Sequence, residues 1–319
     1  MGRLIRKTAI LAKIENTSGT DSVPTGAANA VLVSNASFEL SYNNVGRDLV
    51  RPFLGGSEQL VGLRFVDIKF DVELANSGTA GTAPAWGPLL RACGFAEASL
   101  TTPARIEYSP ISAAFTSLTV YYHLDGVLRK ATGCMGTAEM SMMEGERPVW
   151  KFSFSGIDAG RAAAADPTVT LTAWKTPSVV SDLNSGDINL GCTYAAGALT
   201  GGTTYPSRGL MLTLGNTVSK KALLGGQAVQ ISQREVTGSV QMDLTAAQEV
   251  SFLADINSNT VTGLGFTHGT GAGVGLVVHA PAVQRINPKD TDYEGDVHSA
   301  MDLRLVPSTG NDELRVICL

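Results

Sequence analysis

Hydrophobic and polar residues alternate most regularly over residues 64–74, RFVDIKFDVEL. Val66, Ile68, Phe70, Val72 and Leu74 occupy one phase; Asp67, Lys69, Asp71 and Glu73 occupy the other. A period of two predicts a half-buried strand with one apolar and one charged face. The same pattern returns 170 residues later in REVTGSVQMDL, where Val236, Val240, Met242 and Leu244 are apolar and Thr237, Ser239, Gln241 and Asp243 are polar. Upstream, RPFLGG (51–56) aligns with KALLGG (221–226) at the same offset, and Leu54, Gly55, Gly56, Arg64, Val66 and Leu74 are identical to their counterparts. A Gly-Gly pair at a fixed distance before a two-faced strand predicts a shared turn.

Other elements keep this order. Helical character follows each strand, at 84–95 (PAWGPLLRACGF) and 245–256 (TAAQEVSFLADI). Acidic turns, Glu144-Gly145-Glu146 and Glu294-Gly295-Asp296, precede alternating strands at 149–155 and 300–306. The sequence therefore predicts one mainly β fold used twice, each copy with a short flanking helix. Residues 1–35 are expected to form an extended arm lying on a neighbouring subunit, 36–160 a first domain, 161–204 a connection with strand pieces at 168–174, and 205–319 a second domain. Further strands are expected at 37–42, 106–111, 210–214 and 314–318. A hairpin is expected around Asp125-Gly126, a strong turn signal, and another at 135–155.

A chain of 319 residues is long enough for two domains of ordinary size, each with its own core. Its net charge of −5 and scattered Lys and Arg give no basic footprint for tight nucleic-acid binding. Cys93, Cys134, Cys192 and Cys318 stand far apart, which predicts buried free thiols instead of a zinc or redox motif. The apolar run near the N-terminus is too short for a signal peptide and no stretch approaches a membrane span, so folding in the cytoplasm is expected.

Candidate chemistry is thin, and no catalytic residue, metal ligand or cofactor is assigned. The glycine-rich 263–275 lacks phosphate-loop spacing and is expected to be a flexible loop. DTDYEGD (290–296) resembles the start of a calcium loop, but Met301 stands where the bidentate glutamate belongs. His123, His268, His279 and His298 are dispersed. Trp86, Trp150 and Trp174 could stack on bases or sugars, although Trp150 lies in the apolar phase of its strand. Asp67, Asp71 and Glu73 share one strand face, which suits either a carboxylate pair or a solvated sheet.

As an ordered set, RKTAILAKIE, the linker before GAANA, RDLVRPFLGG, PAWGPLLRACGFAE, the hairpin at HLDG and GERPVWKFSFSG resemble the tail tube proteins of long-tailed, non-contractile bacteriophages. The likeness covers most of residues 1–160; the internal repeat carries the second half. It implies a β-sandwich-like domain whose sheet joins neighbouring subunits into a barrel, with stacked rings forming the conduit for the genome. The implied partners are further copies of the chain, the tape measure, tail terminator and distal tail proteins. DNA passes without specific binding, and the location is the virion. An adhesive or carbohydrate-binding β-sandwich and a secretion-type tube are the alternatives.

On this resemblance, Asp67, Lys69, Asp71, Glu73, Thr237, Ser239, Gln241 and Asp243 are expected to face the bore, with four carboxylates against one ammonium. Segments 43–58 and 215–228 precede the two central strands and look too long for simple turns. Together with the N-terminal arm they are expected to reach the adjacent ring, offering Arg47, Asp48, Arg51, Lys220 and Lys221. Two linked copies predict a trimeric ring with pseudo-sixfold symmetry, with a homohexamer as the alternative.

Overall fold

The alternating runs become strands that join edge to edge in a computed structural model describing residues 2–319; Met1, counted in the expected arm, lies outside the described residues. The first half holds β1 (Thr8–Ile14), the one-turn helix α1 (Gly26–Asn29), β2 (Ala30–Val31), β3 (Ser34–Val45), β4 (Leu60–Glu73), α2 (Gly87–Arg91), β5 (Phe95–Thr101), β6 (Ala104–Pro110), β7 (Leu118–Leu124), β8 (Val127–Met143) and β9 (Val149–Ala163). The second holds β10 (Ile188–Ala195), β11 (Ala198–Tyr205), β12 (Ser207–Thr213), β13 (Thr217–Leu223), β14 (Gly226–Gln233), β15 (Thr237–Asp243), α3 (Ala246–Asn257), β16 (Val261–His268), β17 (Leu276–Tyr293), β18 (Asp296–Leu305) and β19 (Arg315–Cys318).

Eight strands form a continuous antiparallel run in the order β3-β4-β9-β8-β12-β15-β18-β17. The first four and the last four follow the same sequence of elements. The two groups meet where the C-terminal end of β8 pairs with β12. There Leu212 stands opposite Met140 and Leu210 opposite Met142, and all four are 0% exposed. A slip of one residue would turn this set outward, so apolar burial fixes the register of the seam. The N-terminal part of β8 diverges to pair with β7, which carries β1 and β2. In the same way the N-terminal part of β17 carries β16, β10 and β11 on one side and β19, β6 and β5 on the other. The run does not close into a barrel within one chain.

The core lies behind the apolar phase of the eight strands. Phe152 and Phe154 stack with centroids 5.5 Å apart, and Trp150 and Tyr108 flank Trp86, whose indole donates to the Ala75 carbonyl at 2.9 Å. The helical expectation at 84–95 shrinks to α2, because Phe95 opens β5. The second helix forms as expected: Thr245 and Gln248 make a reciprocal capping box at its start.

Three expectations are corrected. The N-terminal segment packs on its own chain where an extended arm was expected: β1 pairs with β7 along its whole length and buries Ile10 on one face and Leu11 on the other. Beyond it, the buried Glu15 carboxylate accepts from Gly19 N, Gly133 N, Ser117 Oγ and Thr119 Oγ1 at 2.6–2.8 Å, which ties the next turn to the body. The stretch 161–204 is more than a connection, since the hairpin β10–β11 occupies its end, whereas 168–174 holds no strand and Trp174 donates instead to the Ala30 carbonyl. Finally, the glycine-rich 263–275 is half strand. A Cβ on Gly263 would lie 2.3 Å from the Cys192 carbonyl oxygen, and one on Gly265 2.7 Å from Cys192 Sγ, so these glycines let β16 approach β10.

The seam makes a direct prediction. Leu212→Ala should lower the unfolding free energy by about 2–5 kcal/mol, whereas Met211→Ala on the polar face should change it by about 0.5 kcal/mol or less. Denaturant unfolding of both variants checks this; equal losses would remove the seam's special role.

Candidate assembly surfaces

The odd-numbered positions of β4 and β15 open on the face opposite the core. Asp67, Lys69, Asp71 and Glu73 stand across from Ser155, Ser153, Lys151 and Val149 of β9. Thr237, Ser239, Gln241 and Asp243 stand across from Arg304, Asp302, Ala300 and His298 of β18. Because the seam makes one sheet of both groups, the two sets share a single polar face.

The three carboxylates of β4 on this face are individually answered. Asp67 accepts from Ser155 Oγ at 2.7 Å and Lys220 Nζ at 2.6 Å, Asp71 from Asn35 Nδ2 at 2.7 Å, and Glu73 from Arg147 Nη1 at 2.9 Å. No free carboxylate pair is left for acid-base work. Lys151 and Arg304 join the face as well and pair with Glu139 and Glu235, each at 2.6 Å. Both cations fall in the polar phase of strands legible in the sequence, and Glu139 lies across the expected 135–155 hairpin from Lys151, whereas Glu235 is distant from Arg304 along the chain.

Each central strand is preceded by a hairpin. β3 and β4 stay paired out to Val45 and Leu60, leaving residues 46–59 at the tip. Val50 and Leu54 are fully exposed there, Phe53 is largely so, Asp48 points to solvent, and Arg47 and Arg51 both pair with Glu58. The second segment is not the irregular loop expected. β13 and β14 form a tight hairpin whose turn is Leu224-Gly225, with Gly225 at φ +95° and Leu223 and Leu224 exposed.

The second hairpin also bends. Gly215, at φ +62°, sits where a Cβ would lie 2.0 Å from the Glu235 carbonyl oxygen, so the chain can kink between β12 and β13. Val218, Val229 and Ile231 then pack on Phe65, Phe115, Met135 and Ile157, leaning the hairpin over one end of the sheet. As a result Lys220 reaches back to Asp67 and Lys221 to Gln230, while Arg47, Asp48 and Arg51 stay at a projecting tip.

The remaining candidates are absorbed by the fold. Trp86 and Trp150 are buried and Trp174 is half-buried. The four cysteines are buried and free, and burial pushes the Cys93 thiol well up. Asp292 accepts from Gly295 N at 3.1 Å, so DTDYEGD is the turn between β17 and β18. Among the described residues no group of three His, Cys, Asp or Glu is placed to hold a metal, and no helix is long and apolar enough to cross a membrane. The histidines are all buried on separate strands; His268 Nδ1 shares a 2.9 Å hydrogen bond with Ser185 Oγ.

With this geometry in place, a comparison with known families gives a match. The family model described as phage tail tube protein covers residues 5–301. No curated protein matches the chain.

Burial holds His123, His268 and His279 below the ordinary imidazole value of 6.5. Above that value they are neutral in both folded and unfolded chains, and their contribution to stability is fully present. As pH falls through it, the unfolded chain takes up protons first, so stability falls toward the lower folded-state values. Thermal unfolding should therefore shift to lower temperature between about pH 7.5 and pH 5, with a shallower dependence in His279→Gln. A flat profile in the parent protein would contradict this.

Proposed function

Because the chain belongs to the phage tail tube protein family, and so is a structural component of the virion that assembles with copies of itself, we propose that each chain supplies two barrel segments to a ring closed by three chains. The observation that carries this is the eight-strand run. The second group of four strands continues the sheet of the first in the same order, where a decorative domain would sit apart from it. Cross-strand register agrees between the two groups although the sequence offset changes from strand to strand: Asp67 corresponds to Thr237, Glu139 to Lys289 and Glu39 to Thr213. This supports reading 36–160 and 205–319 as two tube domains.

In this reading the polar face lines the bore. Asp67, Lys69, Asp71, Glu73, Thr237, Ser239, Gln241 and Asp243 present a wet surface to the genome. Free Lys and Arg would bind phosphate in a salt-dependent way and retard passage. The pairing of Lys220 with Asp67 and of Arg147 with Glu73 keeps those cations engaged. DNA is a passenger without a specific site, and the tape measure, terminator and distal tail proteins are the other partners of the tube. Folding precedes assembly in the host cytoplasm.

The hairpin tips provide ring stacking. Val50, Phe53, Leu54, Leu223 and Leu224 are apolar and exposed, and large exposed apolar groups gathered at a tip mark a contact site. Arg47, Asp48 and Arg51 surround the first tip. A carbohydrate-binding reading finds Trp86 and Trp150 buried in the core.

Electron microscopy of the purified protein tests the proposal. Hollow tubes whose rings contain three chains are expected, while six chains per ring would overturn the two-segment reading. Deleting residues 46–52 should leave a folded subunit, judged by its circular dichroism and unfolding transition, that forms no tubes; tubes of normal length from this variant would refute the stacking role.

A further inference from the structure

The in-chain seam also specifies the seam between chains. β8 pairs with β7 only as far as Cys134, and its remaining edge, Glu139–Met143, is taken by β12. β17 is built in the same way. It pairs with β16 only as far as Gln284, and its corresponding edge, residues 289–293, pairs with β18 on one side and with no described residue on the other. At the opposite end of the run, β3 pairs among the described residues with β4 alone. β3 is the counterpart of β12, and each strand carries a bulge with one left-handed residue in it, Asn35 at φ +53° and Gly209 at φ +111°. Each chain thus ends in two unpaired edges whose in-chain counterparts pair with one another.

We propose that β3 of one copy pairs antiparallel with residues 289–293 of β17 in a second copy, in the register of the β8–β12 seam. This rests on the ring reading above and names its interface. Transposing Thr213 opposite Glu139, Met211 opposite Ser141 and Gly209 opposite Met143 places Glu39 opposite Lys289, Ser37 opposite Thr291 and Asn35 opposite Tyr293. Glu39 and Lys289 are both exposed, and in this register they meet with opposite charge on the polar face.

The core side of the edge is also unfinished. At the in-chain seam the core-side pairs are wholly buried, Leu212 with Met140 and Leu210 with Met142. Beside β17 an open cavity lies between α3 and the sheet, lined by Phe252, Leu253, Ile256, Pro288, Asp290 and Met301. The incoming strand places Phe38, which packs on Tyr122 of its own chain, on this side opposite Asp290. Charged residues at 289, 290 and 292 keep the edge soluble before assembly, as unpaired strands in natural sheets require. The in-chain seam is apolar because it never opens; the between-chain seam is polar because it must wait for its partner.

Paired cysteines test the register in the full chain. The native cysteines are buried, so the background is low. Under mild oxidation Ser37→Cys/Thr291→Cys should give inter-chain disulfides that build a ladder on a non-reducing denaturing gel, ending at the ring size. Ser37→Cys/Lys289→Cys and either single variant should give at least ten-fold less. Rings seen by microscopy without the Ser37–Thr291 cross-link, or with the shifted pair cross-linking better, overturn the register and leave the ring reading standing. A chain that stays monomeric at every concentration overturns both. Glu39→Lys should lose assembly and recover it in the double reversal with Lys289→Glu; recovery failing while cross-linking succeeds would remove the charge pair from the proposal.

Discussion

Antiparallel pairing between β8 and β12 is the contact on which the rest of the structure depends. A strand edge exposes a row of backbone donors and acceptors that will pair with whatever fits. Two separate four-strand sheets would present four such edges. The seam consumes two of them inside the chain and places Met140, Met142, Leu210 and Leu212 in a dry core. Burial of such side chains stabilises by roughly 1.5–3 kcal/mol each. The result is a single stiff surface with a polar face and two remaining edges, suited to being one part of a larger closed sheet.

The length of β8 follows from this role. Its N-terminal part must turn into the layer that carries β7 and β1, while its C-terminal part stays in the main run and meets β12. β17 performs the same division, and both strands are among the longest in the chain. The two hairpins differ because only one bends. Without a kink the β3–β4 hairpin runs straight into solvent, whereas the close passage of Gly215 past Glu235 folds β13–β14 back onto Phe65 and Met135. One chain therefore carries a straight hairpin and one whose body is docked while its tip stays exposed, a difference that identical copies in a symmetric ring could not have.

Much of this was legible from residue alternation. Residues 64–74, 149–155 and 300–306 were readable because each strand has one face in the core and one in water, and Asp125-Gly126 marked its hairpin locally. What failed depends on contacts between residues far apart in the chain. β16 was hidden by Gly263 and Gly265, whose glycine content answers to Cys192 on another strand. The run KTAILAKIE could be read as a strand within the expected arm, but its partner β7 lies far along the chain, so its place in the body was not legible. The polar face was located correctly as a strand face, yet Arg147 and Lys220, the partners of Glu73 and Asp67, come from distant turns and hairpins that no local pattern announces.

Amide hydrogen exchange, compared between the free subunit and the assembled tube, tests the central claim most directly. The account predicts that the backbone amides of Met140 and Leu212 are protected in both states, while outward-facing amides within residues 35–39 and 289–293 exchange quickly in the subunit and become protected in the tube. Intact tubes in which neither of these edges gains protection would contradict it.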